Sequence, residues 1–301
     1  MRRTLTQPLM SNGFQLSSDP RRLGWLEPTA AGESMKTLRE KFRSQGYLWL
    51  KGFFPREEVL AIRRNFFEHF AGTGFLAPGS DPVDGIYSGK ALSSETIHQI
   101  WMEAARLPAY VAFCESPRIL GFYEEFLGGE IYLHRRKIVR FTVPEEPTCT
   151  GGHYDLIYLR AGTDQICTSW IPFGDTPVEM GGLTYLEGSD ALGRKMEADF
   201  TAKNAELPPE ERISAYNKNM ASGGWVSKDL PALAGMIDGR WLIADYEAGD
   251  MVIHSPYIIH ASTVNTDAQR RMRLSTDVRY QLMREKIDQR WAHDYYVGDR
   301  L

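Results

Sequence analysis

Short β-prone runs dominate the chain from Glu130 to Leu282 and restrict what it can fold into. They are rich in β-branched and aromatic residues, and Gly, Pro or Asp stands between many of them, as is typical of strands joined by turns. Such a succession favours an antiparallel barrel or jelly roll. We therefore predict a mainly β fold with flanking helices. The runs are IYLHRRKIVRFTVP, DLIYLRAG, DQICTSWIPFG, GGLTYLEGS, GDMVIHS and MRLSTDVRYQL.

The chain before these runs is predicted to be largely helical. Apolar residues recur at helical spacing over residues 55–70, where Pro55 and two acidic residues are typical of a helix start. Residues 33–43 and 96–127 also favour helix. Residues 1–35 are rich in Pro, Gly, Ser and Arg without any period, so we expect an arm that wraps the domain or a loose tail.

Nothing in the sequence requires a second domain, and we predict one domain over residues 36–301. The charged segment 191–245 interrupts the β-prone runs, so we expect a helical insertion there that could act as a lid. Residues 72–95 are punctuated by Gly, Pro and Ser and are predicted to be a loop.

Composition excludes several classes of protein. Hydrophobic residues make up 43% and charged residues 25% of the 301 residues, as in a folded globular chain. The net charge of -4 gives no reason to expect nucleic acid as a partner. Cys114, Cys149 and Cys167 give no readable disulfide or zinc motif. We find neither a secretory signal nor the ~18 apolar residues of a membrane span, and we expect a cytoplasmic protein.

A His-x-Asp motif is the first candidate for chemistry. Alternate residues of a strand share a face, so His153 and Asp155 would present an imidazole and a carboxylate together. One more His from a neighbouring strand would complete two His and one carboxylate, the ligand set of non-haem Fe(II) oxygenases. The segment IHSPYIIHAS offers His254 and His260 for that place.

A basic run follows that segment. Arg271, Arg273, Ser275, Asp277 and Arg279 alternate along it and share a face if the strand is regular. Burying several guanidinium groups is costly without an anionic partner. A dicarboxylate co-substrate would provide one, and ion pairing within the strand, for instance between Asp277 and Arg279, is the alternative.

Together these motifs resemble those of the phytanoyl-CoA dioxygenase (PhyH) family of Fe(II)/2-oxoglutarate-dependent oxygenases. The resemblance spans about residues 37–285 in the correct order. Its motifs are GYLWLKGFFPREEVLAIRRNF, GGHYD, TSWIPFGDTPVEMGGLTYLEGSD, GDMVIHSPYIIHASTVN and RLSTDVRY.

The resemblance implies a double-stranded β-helix core, a cupin-like jelly roll, that binds Fe(II), 2-oxoglutarate and O2. It implies that His153, Asp155 and His260 hold the iron, because Ala261, Ser262 and Asn265 follow His260 in the family's pattern. His254 lacks that pattern and is expected to line the barrel or pack.

The resemblance also implies that Ser262 and an arginine of the last strand hold 2-oxoglutarate. Counting along the strand allows Arg271 or Arg273, and we favour Arg273. Thr168 and Trp170 fall where the family lines the co-substrate pocket, although Trp170 fits a strand core nearly as well.

Two positions bear on how far the family pattern carries over to this chain. The sequence has Asp190 where the family often has His, at a position that is not a ligand. Related halogenases have a small residue in place of Asp155, so this chain is expected to hydroxylate, or to desaturate or rearrange its substrate, and not to halogenate.

The expected substrate is a small organic molecule, a secondary-metabolite intermediate of apolar or polycyclic character. Tyr87, Trp225 and Trp241 lie in or near the two segments expected to gate the site, although ordinary packing explains them too. A phytanoyl-CoA-type acyl-CoA hydroxylase and a cupin metalloenzyme that does not use 2-oxoglutarate are the alternatives. The HRRK run at residues 134–137 is the one basic cluster that could suit CoA phosphates, and a homodimer remains open.

Overall fold

The fold is built on two β-sheets that face each other, with a layer of helices outside one of them. The structure, a computed structural model, describes residue 5, residues 7–208, residue 211 and residues 225–294. The strands are β1 (Met10–Ser11), β2 (Phe14–Gln15), β3 (Leu23–Trp25), β4 (Tyr47–Leu50), β5 (Ile131–Leu133), β6 (Ile138–Thr142), β7 (Ile166–Pro172), β8 (Leu183–Leu186), β9 (Trp241–Ile243), β10 (Met251–His254), β11 (His260–Ser262) and β12 (Arg273–Leu282). The helices are α1 (Met35–Gln45), α2 (Arg56–Glu68), α3 (Ser94–Ala104), α4 (Pro108–Cys114), α5 (Pro117–Leu127), α6 (Leu156–Leu159), α7 (Ser189–Lys203) and α8 (Leu230–Gly235).

The larger sheet has the strand order β4-β10-β7-β12-β5, with β6 also paired to β12. Its strand pairs are antiparallel, and β12 is its longest strand, with all ten residues buried. The smaller sheet has the order β11-β8-β9-β3. Aromatic and aliphatic side chains fill the space between the sheets, including a Tyr47–Tyr185 stack. This interior holds the polar site described below.

Helices α1 to α5 cover the outer face of the larger sheet, and their apolar faces form the main core with it. The predicted helix at 55–70 corresponds to α2. The predicted helical region 96–127 is three helices, because Pro108 and Pro117 each start a new one. In the described part of the chain, no helix has the length and apolar character needed to cross a membrane.

One predicted strand is wrong. The run DLIYLRAG forms α6 and the turns on either side of it. Backbone hydrogen bonds run from Tyr158 N to Asp155 O and from Gly162 N to Leu159 O. These local bonds replace a ladder with a neighbouring strand.

Residues of the N-terminal arm lie against the smaller sheet. Strand β3 pairs in parallel with β9, and Leu9, Leu16 and Leu26 are buried. The ends of the predicted insertion at 191–245 are α7, α8 and β9, and β9 belongs to the smaller sheet. Residues 209–210 and 212–224 of that segment lie outside the described residues, and its role as a lid remains a prediction.

Helix α7 fixes the segment that leads into β11. The Ser189 hydroxyl accepts a hydrogen bond from Ile259 N. Gly193 lies so close to this segment that a Cβ on it would stand 2.0 Å from the carbonyl oxygen of Tyr257. Only glycine allows the helix to approach so closely.

We predict that Gly193→Ala destabilises the fold, although alanine is the better helix former. The expected loss in the free energy of unfolding is roughly 1–3 kcal/mol, because the new methyl group must displace backbone. Gly121→Ala in α5 is the matched control, since its Cβ meets nothing within 4 Å, and should gain about 0.5–1 kcal/mol. Urea denaturation measures both variants, and equal stabilities would contradict the packing described for α7.

Candidate metal and co-substrate site

Three metal-ligating side chains meet between the sheets. His153, Asp155 and His260 are each at most 5% exposed, and one donor atom from each lies within 4.8 Å of the other two. Asp155 Oδ1 is 3.8 Å from His153 Nε2 and 3.7 Å from His260 Nε2. Two imidazole nitrogens and one carboxylate oxygen form a donor set suited to a divalent transition metal.

Backbone pairing places the two histidines side by side. His153 and His260 exchange both backbone hydrogen bonds as an isolated antiparallel bridge, at 3.0 and 2.9 Å. Asp155, in contrast, does not share a strand face with His153. Its backbone is helical (φ -66°, ψ -30°) at the start of α6, so a turn of the chain, and not strand alternation, brings its carboxylate to the two rings.

Both histidine rings are oriented by the backbone. The Nδ1 atom of His153 lies 2.9 Å from Gly151 O, and that of His260 lies 3.0 Å from Ile258 O. A carbonyl can only accept, so Nδ1 carries the proton in each ring. Nε2 is then the unprotonated atom and is available to a metal, as is usual for ligand histidines.

The other oxygen of Asp155 is held by a row of side chains on the larger sheet. Thr168 on β7 lies directly opposite both His254 on β10 and Arg279 on β12. The Thr168 hydroxyl donates to Asp155 Oδ2, Arg279 Nη2 donates to it at 3.2 Å, and His254 Nε2 lies 3.4 Å away. With Oδ2 occupied in this way, Oδ1 faces the two ligand histidines.

The protonation states suit metal binding. Burial opposes the charge on Asp155, yet Arg279 and the neighbouring imidazoles outweigh it and hold the pKa of that carboxyl well below its usual range. Burial lowers the pKa of His153, and burial with the nearby rings of His153 and His254 lowers that of His260 well below its usual value. Near neutral pH the carboxylate is therefore ionised and both rings are neutral.

The structure separates the two candidate histidines of the IHSPYIIHAS segment. His260 presents its free Nε2 to the cluster. His254 has its Nδ1 2.8 Å from the Tyr185 hydroxyl and its Nε2 beside Asp155 Oδ2. His254 therefore contacts the Asp155 oxygen that faces away from the other two histidines. We did not predict this contact from the sequence.

A cavity adjoins the cluster. Besides the triad it is lined by Arg273, Ser262 and Trp170, three of the predicted co-substrate residues. Thr168 is not part of this lining and contacts Asp155 instead. Ser262 Oγ accepts a hydrogen bond from Thr150 N at 3.1 Å, which fixes it at the cavity wall.

The two candidate arginines differ in their surroundings. Arg271 precedes β12 and forms a two-point ion pair with Asp267, with contacts of 2.7 and 3.0 Å. Arg273 is 3% exposed, donates through Nη1 to Gly181 O and forms no ion pair with any described residue. Its buried Nε likewise lacks a hydrogen-bond partner within the described chain. Burial lowers its pKa to about 10, so it stays charged.

The alternative prediction of an ion pair between Asp277 and Arg279 is wrong. Arg279 pairs with Asp155 and lies over the ring of Trp291 at 4.4 Å. Asp277 pairs with Arg140 Nε at 2.7 Å. Arg140 also lines the cavity and was missed in the sequence, where β6 carries no motif. Strand pairing brings it to the site, because Arg140 lies opposite Ser275 on the inward face of β12.

The three aromatic residues predicted to lie in or near the gating segments differ in burial and position. Tyr87 and Trp241 are 8% and 1% exposed and belong to the cores, so packing explains them. Trp225 stands near the site, because a Cβ on Gly151 would meet its ring at 2.8 Å. Gly151 is the residue whose carbonyl orients His153.

The chain matches the family model of phytanoyl-CoA dioxygenase over residues 42–273. A curated relative from Streptomyces exfoliatus, 1-deoxypentalenic acid 11-beta-hydroxylase, is 24% identical over 264 residues, covering 85% of this chain and 84% of that protein.

Solved structures share the fold. The non-haem alpha-ketoglutarate-dependent carbocyclase SnoK from nogalamycin biosynthesis has a TM-score of 0.54 at 19% identity, covering 87% of this chain and 89% of its own. The epimerase SnoN, in complex with Fe3+, alpha-ketoglutarate and nogalamycin RO, has a TM-score of 0.52 at 19% identity, covering 82% and 83%. These similarities confirm the predicted double-stranded β-helix core with flanking helices.

We predict that Thr168→Val weakens metal binding by about 10–100-fold, because Asp155 loses a donor that orients it. Anaerobic Co2+ titration, followed by visible absorption, measures this affinity. Ser169→Ala is the control: Ser169 is the next residue of the same strand and bonds Tyr123 on the helix-facing side. Equal metal affinities of the two variants would contradict the role that we assign to Thr168 in orienting Asp155.

Proposed function

The chain belongs to the phytanoyl-CoA dioxygenase family, and on that premise we propose that it is an Fe(II)- and 2-oxoglutarate-dependent dioxygenase that oxidises an unactivated C–H bond of a small organic molecule. The observation that carries the proposal is the pairing of two features in one interior. A complete two-His, one-carboxylate cluster lies beside a cavity with a buried arginine that forms no ion pair within the described chain.

We propose His153 Nε2, Asp155 Oδ1 and His260 Nε2 as the iron ligands. Bound iron with 2-oxoglutarate supplies the oxidising power for C–H cleavage from O2. Three protein ligands on one side leave positions open for co-substrate and O2. The buried walls keep water out and hold the reacting groups in place.

We propose Arg273 as the partner of the distal carboxylate of 2-oxoglutarate, assisted by Ser262. A guanidinium forms a two-point pair with a carboxylate. A buried charge without a counterion is costly, and the carboxylate of the co-substrate removes that cost at Arg273. Trp170 supplies a flat apolar wall of the same cavity.

The proposed outcome is hydroxylation of a secondary-metabolite intermediate, with desaturation or rearrangement as related outcomes. A relative is named as a hydroxylase, and neighbours of the same fold are named as an epimerase and a carbocyclase from nogalamycin biosynthesis. We propose a cytoplasmic location, since Cys114, Cys149 and Cys167 are free thiols. The oligomeric state, for which a homodimer is one candidate, is to be measured in solution.

An acyl-CoA substrate receives little support from the run at 134–137. His134, Arg136 and Lys137 are buried, and the exposed Arg135 pairs with Asp294. The run therefore offers no open basic surface for the phosphates of CoA. A cupin that does not use 2-oxoglutarate would have no use for Arg273, so dependence of succinate release on 2-oxoglutarate separates that alternative.

We predict that Asp155→Ala abolishes succinate formation from 2-oxoglutarate. The change removes one ligand and leaves Arg279 without its counterion. Succinate release under air, with added Fe(II), is the measurement. Asp164→Ala is the control, because Asp164 accepts a hydrogen bond from the Tyr257 hydroxyl and does not contact the cluster. Turnover by Asp155→Ala protein that still holds iron would overturn the ligand assignment.

We predict that Arg273→Gln weakens 2-oxoglutarate binding by roughly 10–100-fold, as expected for a lost hydrogen-bonded charge. Arg271→Gln removes the same charge two residues earlier and should leave the affinity unchanged. Anaerobic titration of the Fe(II) protein, followed by the charge-transfer absorption of chelated 2-oxoglutarate, gives both constants. The reverse ranking would move the co-substrate to Arg271.

A further inference from the structure

A two-stranded hairpin in the N-terminal arm, residues 9–16, lies against the end of β11. Its strands β1 and β2 pair with each other, and Leu16 N donates to Leu9 O at 2.9 Å. Asn12 and Gly13 join the strands with φ values of 50° and 88°, as a two-residue hairpin turn of type I′ requires. Leu9 and Leu16 are 4% and 3% exposed. The hairpin is therefore a folded and anchored element, not a loose tail.

The hairpin is bonded to the chain at and just after β11. Met10 O accepts a hydrogen bond from Val264 N at 2.8 Å. The hydroxyl of Ser11, a fully buried residue, donates to Ser262 O at 3.2 Å. The Cys149 thiol lies 3.3 Å from the Ser11 hydroxyl and donates to the same carbonyl at 3.2 Å. Ser11 therefore helps to hold the backbone of Ser262, a residue that lines the cavity beside the metal cluster.

A second connection runs through the turn of the hairpin. Asn12 Oδ1 accepts a hydrogen bond from Cys149 N at 3.2 Å. The next residue, Thr150, donates its N–H to Ser262 Oγ at 3.1 Å and accepts from Ser262 N at 3.0 Å. Thr150 and Ser262 line the same cavity as Arg273. Asn12 therefore holds the segment that holds the Ser262 hydroxyl.

The bond from Thr150 bears on what the Ser262 hydroxyl can do. Because its oxygen already accepts from Thr150 N, its hydrogen is left to donate, and no residue of the described chain accepts that proton. A carboxylate in the cavity would accept it, in line with the role proposed for Ser262 beside Arg273. The position of this donor depends on Thr150 and, through residue 149, on the hairpin.

We propose that the hairpin is part of the co-substrate site, with Ser11 and Asn12 as positioning residues for 2-oxoglutarate. This inference rests on the proposed function, because it adds residues to the co-substrate site assigned there. The side chains of both residues bond Cys149 and Ser262 outside the hairpin, and not the metal ligands. Loss of either contact should therefore weaken the binding of 2-oxoglutarate more than that of the metal.

The test compares variants of the full chain. Asn12→Gly removes the side-chain acceptor and keeps the left-handed backbone without strain, and Ser11→Ala removes the hydroxyl donor. Each should weaken 2-oxoglutarate binding by about 3–10-fold, as expected for one lost hydrogen bond, and leave the affinity for Co2+ unchanged. Charge-transfer absorption of the anaerobic Fe(II) protein gives the first affinity, and visible absorption of the Co2+ protein gives the second.

Two further variants serve as controls. Asn12→Asp keeps an oxygen acceptor at the same place, so it should retain the wild-type affinity for 2-oxoglutarate. Gln15→Ala alters an exposed residue of β2 in the same hairpin and should change neither affinity.

The thiols report whether each variant is folded. Cys114 and Cys167 are 0% and 2% exposed, whereas Cys149 is half-buried beside the hairpin. A thiol reagent such as DTNB should therefore label folded protein at Cys149 alone, and unfolded protein at all three cysteines. Only variants that label at Cys149 alone enter the comparison of affinities.

Unchanged affinity for 2-oxoglutarate in both folded variants, Asn12→Gly and Ser11→Ala, would overturn the inference. Equal losses of affinity for 2-oxoglutarate and Co2+ would also overturn it, because they would show a general loosening of the site. Wild-type protein that fails to bind 2-oxoglutarate refutes the proposed function instead, so the two failures are distinguishable.

Discussion

The two oxygens of the Asp155 carboxylate have different partners, and the arrangement of the site depends on that difference. Oδ2 is surrounded by Thr168, Arg279 and His254 from three adjacent strands. Oδ1 is left to face the two histidines. A carboxylate held at one oxygen can offer the other to a metal in a fixed direction, so the sheet would determine the position of a bound metal ion.

The pairing register of three strands brings the partners of Oδ2 together, so the site depends on how the larger sheet is formed. The three side chains form one transverse row, and a slip of one residue would turn each of them to the opposite face. Two residues from that row along β12, Asp277 holds Arg140, and at the start of the strand Arg273 reaches the cavity. One buried strand therefore supports the carboxylate ligand and the proposed co-substrate partner.

The sequence was sufficient for the fold class and for the three residues that form the His-Asp-His cluster, because both depend on short motifs whose order is visible in the chain. Local geometry was harder to predict. Strand alternation was expected to pair His153 with Asp155, but Asp155 lies in a helical turn stabilised by backbone bonds of α6. The pairing of Asp277 with Arg140 joins residues 137 positions apart, and no local pattern predicts such a contact.

The central claim is that one interior holds a metal at three named atoms and 2-oxoglutarate at one named arginine. A crystal structure of the protein with Mn2+ and 2-oxoglutarate tests it most directly. We predict an ion bound by His153 Nε2, Asp155 Oδ1 and His260 Nε2, with the distal carboxylate of 2-oxoglutarate paired to Arg273. An ion bound through His254, or a distal carboxylate paired to Arg140 or Arg271, would contradict it.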